Sequence, residues 1–350
     1  MFFLSILTNY ILPIIYDSFV VLVLVLLFLF IFRIKDSNIR ILFFFLPLIK
    51  PFIVIFEKIN VEKMYDMYYG QVSGIRFPDP INIIRIGNSP SVTISNPNYL
   101  ALVIIIIAIF SLLLFRWISI ALLYRKLAYE EKVGRKDVPD VYRIIDNFTN
   151  KVETHTPDIS LTHSDYSSPF IIGIRRFTLV LSPRLLDSLN QNEKDILIRH
   201  ELSHIKRRDN LIGWIALILR DLNFFNLFGF IAYFLIRSEQ EKACDKLVVK
   251  YTDKPPVEIA KIILNSLLKL KSLIRSNKHL TPLESSAFSP TGVFSQRRLE
   301  NRVSSIIKIN PDKIHMRVFP KILMYFLFIS LLFIQIVIAM KWNDFIIFLR

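Results

Sequence analysis

Apolar residues along this chain gather into long runs near both ends, while the middle alternates between strand-like and helix-like patterns. The first run, residues 11–32, is interrupted only by Tyr16, Asp17 and Ser18. A helix rising about 1.5 Å per residue over that length spans a hydrocarbon core of about 30 Å. No basic segment precedes the run and no small-residue cleavage site follows it, so it reads as an anchor and not as a removable signal. Residues 41–56 form a second run that contains Pro47, Lys50 and Pro51. A lysine in lipid is costly unless it snorkels or faces a partner. After a mixed-charge loop at 57–98, residues 99–124 are again strongly apolar, and the last run is 318–340.

Between the third and last runs the pattern is that of a folded domain. Asp158–Ser164 and Phe170–Leu181 read as strands, the second broken by Arg175 and Arg176 as in a hairpin or a bent edge. Asn190 followed by Glu193 predicts a capping box that opens a helix running through Ile205. Residues 211–236 are apolar enough to resemble a span, but Arg220, Asp221, Asn223 and Asn226 divide them. The pieces are too short to cross singly, so this stretch is expected to be a hairpin with its turn near Arg220 and Asp221.

Composition agrees with a membrane protein. Hydrophobic residues make up 53% of the 350, and the mean hydropathy is +0.45, more apolar than water-facing surfaces require. The formal charge is +15, which raises the question of nucleic acid. From Lys242 to Lys321, however, sixteen Lys and Arg face six acidic residues, the pattern of segments held at the cytoplasmic side of a membrane. No helix-turn-helix, zinc-finger or RNA-binding signature accompanies the charge, so direct nucleic-acid binding is not expected. The basic residues of the short loops place 33–40 and 125–316 in the cytoplasm of a multi-pass protein of the cell membrane, with 57–98 outside. Cys244 is the only cysteine, so an intrachain disulfide is impossible.

The chemistry lies in the helix opened by Asn190, which carries His200-Glu201-Leu202-Ser203-His204. Residues four apart are offset by about 40° around a helix and about 6 Å along it, so both imidazoles can close on one cation. Glu201, about 100° from His200, falls beside that cation and is suited to take a proton from its bound water. One zinc ion is expected, with Glu201 as general base. A catalytic zinc takes three protein ligands and leaves one position open, and Glu241 is the expected third. A single crossing between the two ligand helices would part Glu241 from the histidines, a further reason for the hairpin. Asp245, one turn beyond Glu241, and Asp209, just past the second histidine, are candidates to orient ligands. Arg237 is a candidate to stabilise an oxyanion. Thr178, Leu179, Val180 and Leu181 are a candidate edge strand for substrate backbone, or an ordinary core strand. Cys244 is a competing ligand that reads better as a small packed hydrophobe. His155, His163, His279 and His315 read as surface residues.

Taken together, several segments resemble the BlaR/MecR-type membrane metallopeptidases. They are Ser168-Pro169-Phe170 with Gly173, Leu179-Val180-Leu181-Ser182-Pro183, and His200 through Asp209. Asn223-Phe224-Phe225-Asn226, Glu241-Lys242-Ala243-Cys244-Asp245 and Arg298-Leu299-Glu300-Asn301-Arg302-Val303 continue the series. The resemblance implies a mostly α membrane protein with about four transmembrane helices and an inserted α+β zincin-like metallopeptidase domain. Residues 1–124 would be the membrane domain, 125–316 the cytoplasmic zinc domain with its membrane-associated hairpin 211–236, and 317–350 the last span and a tail. It also implies cleavage of a regulatory protein, such as a DNA-binding repressor, when an outer signal arrives. In the best-known members a penicillin-binding sensor follows the last span. Here Lys341–Arg350 leaves no room for one, so a signal is expected to enter through 57–98, the lipid or a separate sensor protein. An HtpX- or CAAX-type quality-control or processing protease shares the His-Glu-x-x-His pattern. A non-catalytic transducer with a retired peptidase domain is disfavoured by an intact Glu201.

Overall fold

The computed structural model describes residues 11–53, 96–162, 169–276, 300, 302–309 and 321–333. The chain divides into two compact units. One comprises Met1–Ser111, Ile215–Glu239 and Met316–Arg350, the other Leu112–Trp214 and Gln240–His315.

The first unit is helical. Helix α1 (Leu12–Ile31) is followed by α2 (Ser37–Phe44), whose start is fixed by Asp36 accepting from the backbone N–H groups of Asn38 and Ile39. A turn at Phe45 leads into α3 (46–53). Helix α4 (Asn96–Ala128) begins in this unit, and α12 (Lys321–Phe333) lies in it. Among the described residues two helices are long and apolar enough to cross a membrane, through the windows Ile14–Ile31 and Ile104–Ala128. Along α4, Ile104, Ile105, Ile106, Ile107 and Phe110 are all exposed. Contiguous large apolar side chains of this kind match lipid, not water.

The second expected span, 41–56, is not one continuous helix: the turn at Phe45 divides it, and residues 54–56 fall outside the described residues. Of the last expected span, 321–333 is helical, and the rest lies outside the described residues. So does the loop at 57–98, apart from its final three residues.

The same unit holds buried charge. Arg220 is 1% exposed, donates to Asp221 at 2.6 Å, and lies 4.5 Å from the Tyr233 ring centre. These residues belong to the hairpin of α8 (Asp209–Leu222) and α9 (Leu227–Tyr251). At its turn Asn223 donates to the Leu48 carbonyl at 3.1 Å and Asn226 to the Ser18 hydroxyl at 2.8 Å. The sequence places the turn near Arg220 and Asp221; the helices in fact meet at 223–226, because asparagine side chains cap and cross-link there while the arginine stays within α8.

The second unit is built on a four-stranded sheet in the order β1-β2-β4-β3. Strands β1 (Glu131–Val133) and β2 (Asp158–Leu161) are antiparallel, β2 and β4 (Thr178–Leu181) parallel, and β3 (Phe170–Ile172) and β4 antiparallel. Of the two readings of Thr178–Leu181, a substrate-pairing edge strand or an ordinary core strand, the edge is corrected and the core strand holds. It is paired on both sides, and Thr178, Leu179, Val180 and Leu181 are all buried. An apolar run with both faces covered is the signature of a central strand. The β3–β4 turn depends on Gly173, at φ +97°, where an added Cβ would fall 1.9 Å from the Arg176 carbonyl oxygen.

One sheet face packs through Ile159, Leu179 and Leu181 on α5 (Pro139–Val152) and α7 (Gln191–Arg207). On the other, Ile172 and Val180 meet Tyr124, Leu127 and Trp214. After β4, Pro183 opens the short α6 (Pro183–Ser188). The capping box is present: Asn190 accepts from the Glu193 N–H and Glu193 accepts from the Asn190 N–H, each at 2.9 Å. A third apolar cluster joins α7, α9, α10 (Pro256–Ser276) and α11 (302–307) through Ile196, Val248, Ile259 and Ile306.

Candidate metal centre

Four elements of the second unit meet at one point: α7, the first residue of α8, the second half of α9, and α11. His200 and His204 stand on consecutive turns of α7, with ring centres 5.2 Å apart and planes 88° to each other. Helix α7 ends at Arg208, whose left-handed backbone (φ 56°) returns its N–H to the His204 and Ile205 carbonyls. That reversal starts α8 at once and brings Asp209 back toward His204. Gln240 on α9 donates to the Asp209 carbonyl at 3.1 Å.

The two imidazoles are oriented alike. His200 Nδ1 lies 3.1 Å from Asp245 Oδ1, and His204 Nδ1 lies 2.9 Å from Asp209 Oδ2. The opposite nitrogens both turn to one carboxylate: His200 Nε2 is 3.2 Å from Glu241 Oε2, and His204 Nε2 is 3.7 Å from Oε1. With each Nδ1–H given to an aspartate, each Nε2 presents a lone pair to an ionised glutamate. Three electron-rich groups converge in this way only when positive charge lies between them, as protons or as a cation.

The donor set fits a divalent metal. One atom from each of His200, His204 and Glu241 lies within 4.8 Å of the others. Ligands of a tetrahedral zinc, each about 2.0–2.1 Å from it, stand about 3.3 Å apart, close to the two nitrogen–oxygen separations above. Imidazoles fixed by carboxylates at the far nitrogen are the usual support for such ligands. Charge agrees as well. Glu201, Asp209, Glu241 and Asp245 bring four carboxylates, against the guanidiniums of Arg207 and Arg302. The excess of two negative charges is what a dipositive ion balances.

Burial raises the Glu201 carboxyl, and the positive charge of the neighbouring imidazoles does not cancel the rise. A base with such a pKa is better matched to proton transfer near neutral pH than an exposed glutamate. Burial also opposes ionised Glu241, but the His200 hydrogen bond and the surrounding positive charge hold it well below the ordinary carboxylate range. For His200, burial and the Arg302 charge act downward. The bonds to Asp245 and Glu241 outweigh them and raise it to about 9.

A second group, His204, Asp209 and Cys244, also brings ligand atoms within 4.8 Å. Cys244 Sγ is 3.2 Å from His204 Nδ1 and 3.3 Å from Asp209 Oδ2, with the side chain fully buried. Burial and the Asp209 carboxylate push the thiol well above its ordinary pKa, and Arg207 already holds Asp209 at 3.0 Å. A protonated thiol donating to an aspartate packs well but is a poor metal ligand. The first group is the better centre.

The structure thus brings together His200, Glu201, His204, Asp209, Glu241 and Asp245. Arg237 lies one turn before Glu241 on α9 and is half-buried, but it falls in the first unit. The guanidinium set beside Glu241 is that of Arg302, at 3.5 Å. Sequence reading gave Arg302 no role, because nothing local ties a residue sixty positions downstream to a carboxylate. Its place in the Arg298–Val303 motif was the one available signal. His155 is exposed; His163, His279 and His315 lie outside the described residues.

Comparison with known proteins agrees with this arrangement. The methicillin resistance mecR1 protein of Staphylococcus aureus is 24% identical over 106 residues, 30% of this chain and 18% of that protein. Protease HtpX homologs of Pelotomaculum thermopropionicum and Thermococcus kodakarensis are 33% and 31% identical over 86 residues. Those matches cover 24% of this chain and 31% and 30% of the relatives. The aligned stretches therefore span less than a third of each relative. The family model described as BlaR1 peptidase M56 matches far more, residues 13–287, which takes in α1 through α10 and both ligand helices. The chain belongs to the BlaR1 peptidase M56 family.

Proposed function

We propose that this chain is a membrane-embedded zinc metalloendopeptidase that cleaves a cytoplasmic regulatory protein, such as a transcriptional repressor, in response to a signal. The observation that carries the catalytic part is the shared orientation of His200 and His204. Each commits Nδ1 to a buried aspartate and turns Nε2 to Glu241.

Zinc held by these three residues would supply a water acidified to a pKa of about 7 and a Lewis acid for the scissile carbonyl. Glu201 would be the base that takes a proton from the attacking water and returns it to the leaving amine. Asp245 and Asp209 keep both imidazoles in the tautomer that frees Nε2. Four membrane spans are supported by the apolar runs 11–32, 41–56, 99–124 and 318–340, and a cytoplasmic peptidase domain by the basic residues of 33–40 and 125–316. The regulatory substrate rests on membership of the family and on likeness to the mecR1 protein.

A second reading has an observation of its own in the HtpX likeness, which is higher in identity than that to mecR1. On that reading the substrates are damaged or unprocessed membrane proteins. Comparative proteomics of cells carrying wild type or Glu201→Gln separates the two. One accumulating regulator with altered transcription of its targets supports regulatory proteolysis. Broad accumulation of membrane proteins supports quality control. No substrate difference, with equal peptide cleavage by both purified forms, removes the catalytic claim.

A further inference from the structure

Arg302 touches every part of one side of the centre. Its Nε and Nη2 donate to Asp245 Oδ2 and Oδ1, both at 2.8 Å, a bidentate pairing. Nη2 also lies 3.1 and 3.2 Å from the two ring nitrogens of His200, and Nη1 lies 3.5 Å from Glu241 Oε2. Asp245 is fully buried, so its charge needs a partner.

The arginine is delivered by a well-anchored element. Ile306, one turn on in α11, is 0% exposed among Ile196, Val248, Val249 and Ile259, and Ser305 donates to the Arg302 carbonyl at 2.7 Å. Two of those contacts, Val248 and Val249, lie on α9, the helix that carries Glu241 and Asp245. Residue 302 also lies beyond the stretch matched by the family model.

We propose that Arg302 is a positioning residue of the metal centre. It fixes Asp245 as the ionised acceptor for His200 Nδ1–H, and through Asp245 it sets the tautomer and aim of His200 Nε2. Its remaining N–H group draws Glu241 Oε2 to the same side, so that two of three ligands are aligned from one guanidinium. The proposal rests on the reading of His200, His204 and Glu241 as one metal site. It adds that the site is complete only when α11 is docked.

The test is zinc affinity of the full-length chain in detergent, measured by competition with a chromophoric chelator. Wild type, Arg302→Ala, Arg302→Lys, Asp245→Asn, the Arg302→Ala/Asp245→Asn pair and His204→Ala are compared. Arg302→Ala is expected to weaken zinc about 10- to 100-fold, the range for loss of a group that orients a ligand. Arg302→Lys keeps the charge but not the two-pronged grip, and is expected to lose at least about threefold while melting like wild type without zinc. In the Asp245→Asn background the Arg302→Ala change should cost clearly less than it does in wild type, since the route through Asp245 is gone and only the contact with Glu241 remains. Wild-type affinity in folded Arg302→Lys, or an undiminished Arg302→Ala effect beside Asp245→Asn, overturns the proposal. Should Arg302→Ala not fold, the lysine variant decides. Equal zinc binding by wild type and His204→Ala would instead overturn the metal site itself, a distinguishable failure.

Discussion

Both units bury charge, but they do so in opposite ways. In the helical unit the buried groups close on themselves: Arg220 is held by Asp221 and capped by the Tyr233 ring, and Arg40 pairs with Glu239 at 3.0 Å. Each of these two guanidiniums has its carboxylate, and asparagines finish the hairpin turn with backbone and hydroxyl partners. In the sheet-bearing unit, among the described residues, four carboxylates and two imidazoles gather with the guanidiniums of Arg207 and Arg302 beside them. A balanced buried pair needs nothing more and serves packing. An unbalanced convergence is stable only with a further cation, and marks where chemistry is done.

That contrast can be broken most severely at the ligands. His204→Ala or Glu241→Ala should abolish both stoichiometric zinc and peptide hydrolysis, read by metal analysis and a peptide assay. Retention of zinc by either variant would contradict the assignment. Glu201→Gln should lower hydrolysis about 10²- to 10⁴-fold with zinc content unchanged, the range for a general base. Loss of zinc along with activity would make Glu201 structural instead.

The paired region predicts the reverse. Arg220→Ala should cost about 3–5 kcal/mol of stability, because it strips a buried aspartate of its guanidinium, yet leave zinc affinity of the folded fraction untouched. Replacing both partners with apolar residues should restore most of the loss. A smaller effect is expected from pH. In metal-free protein the raised pKa of His200 contributes stability fully present below about pH 6.5 and lost as pH rises through about 9. On the proposed metal site, zinc would take the place of the proton between His200 and Glu241, so the metal-loaded protein should instead gain stability over the same range as proton competition fades. Melting curves with and without zinc at pH 6 and 9 check both signs.

Local periodicity made much of this legible in the sequence. Spacing of four residues placed His200 and His204 on one helix face, and the Asn190–Glu193 box marked where that helix begins. The broken apolar pattern with Arg175 and Arg176 gave the β3–β4 hairpin. Non-local pairing is what periodicity does not carry. Strand β4 stays open between edge and core in the sequence because an apolar run of four residues says nothing about which neighbours pair with it. Arg237 is visible in the sequence because it stands one turn before Glu241 on a helix, whereas the docking of α11 through Ile306 that brings Arg302 to the site is not. The 41–56 run read as one span because hydropathy does not register the turn at Phe45.

The most direct measurement is X-ray absorption at the zinc edge of the purified full-length chain, together with the stoichiometry in wild type and Glu241→Gln. One zinc per chain bound by two imidazole nitrogens and a carboxylate oxygen in wild type, and depleted in the variant, is the predicted result. A zinc signal containing sulfur, or identical spectra and occupancy in the two proteins, would contradict it.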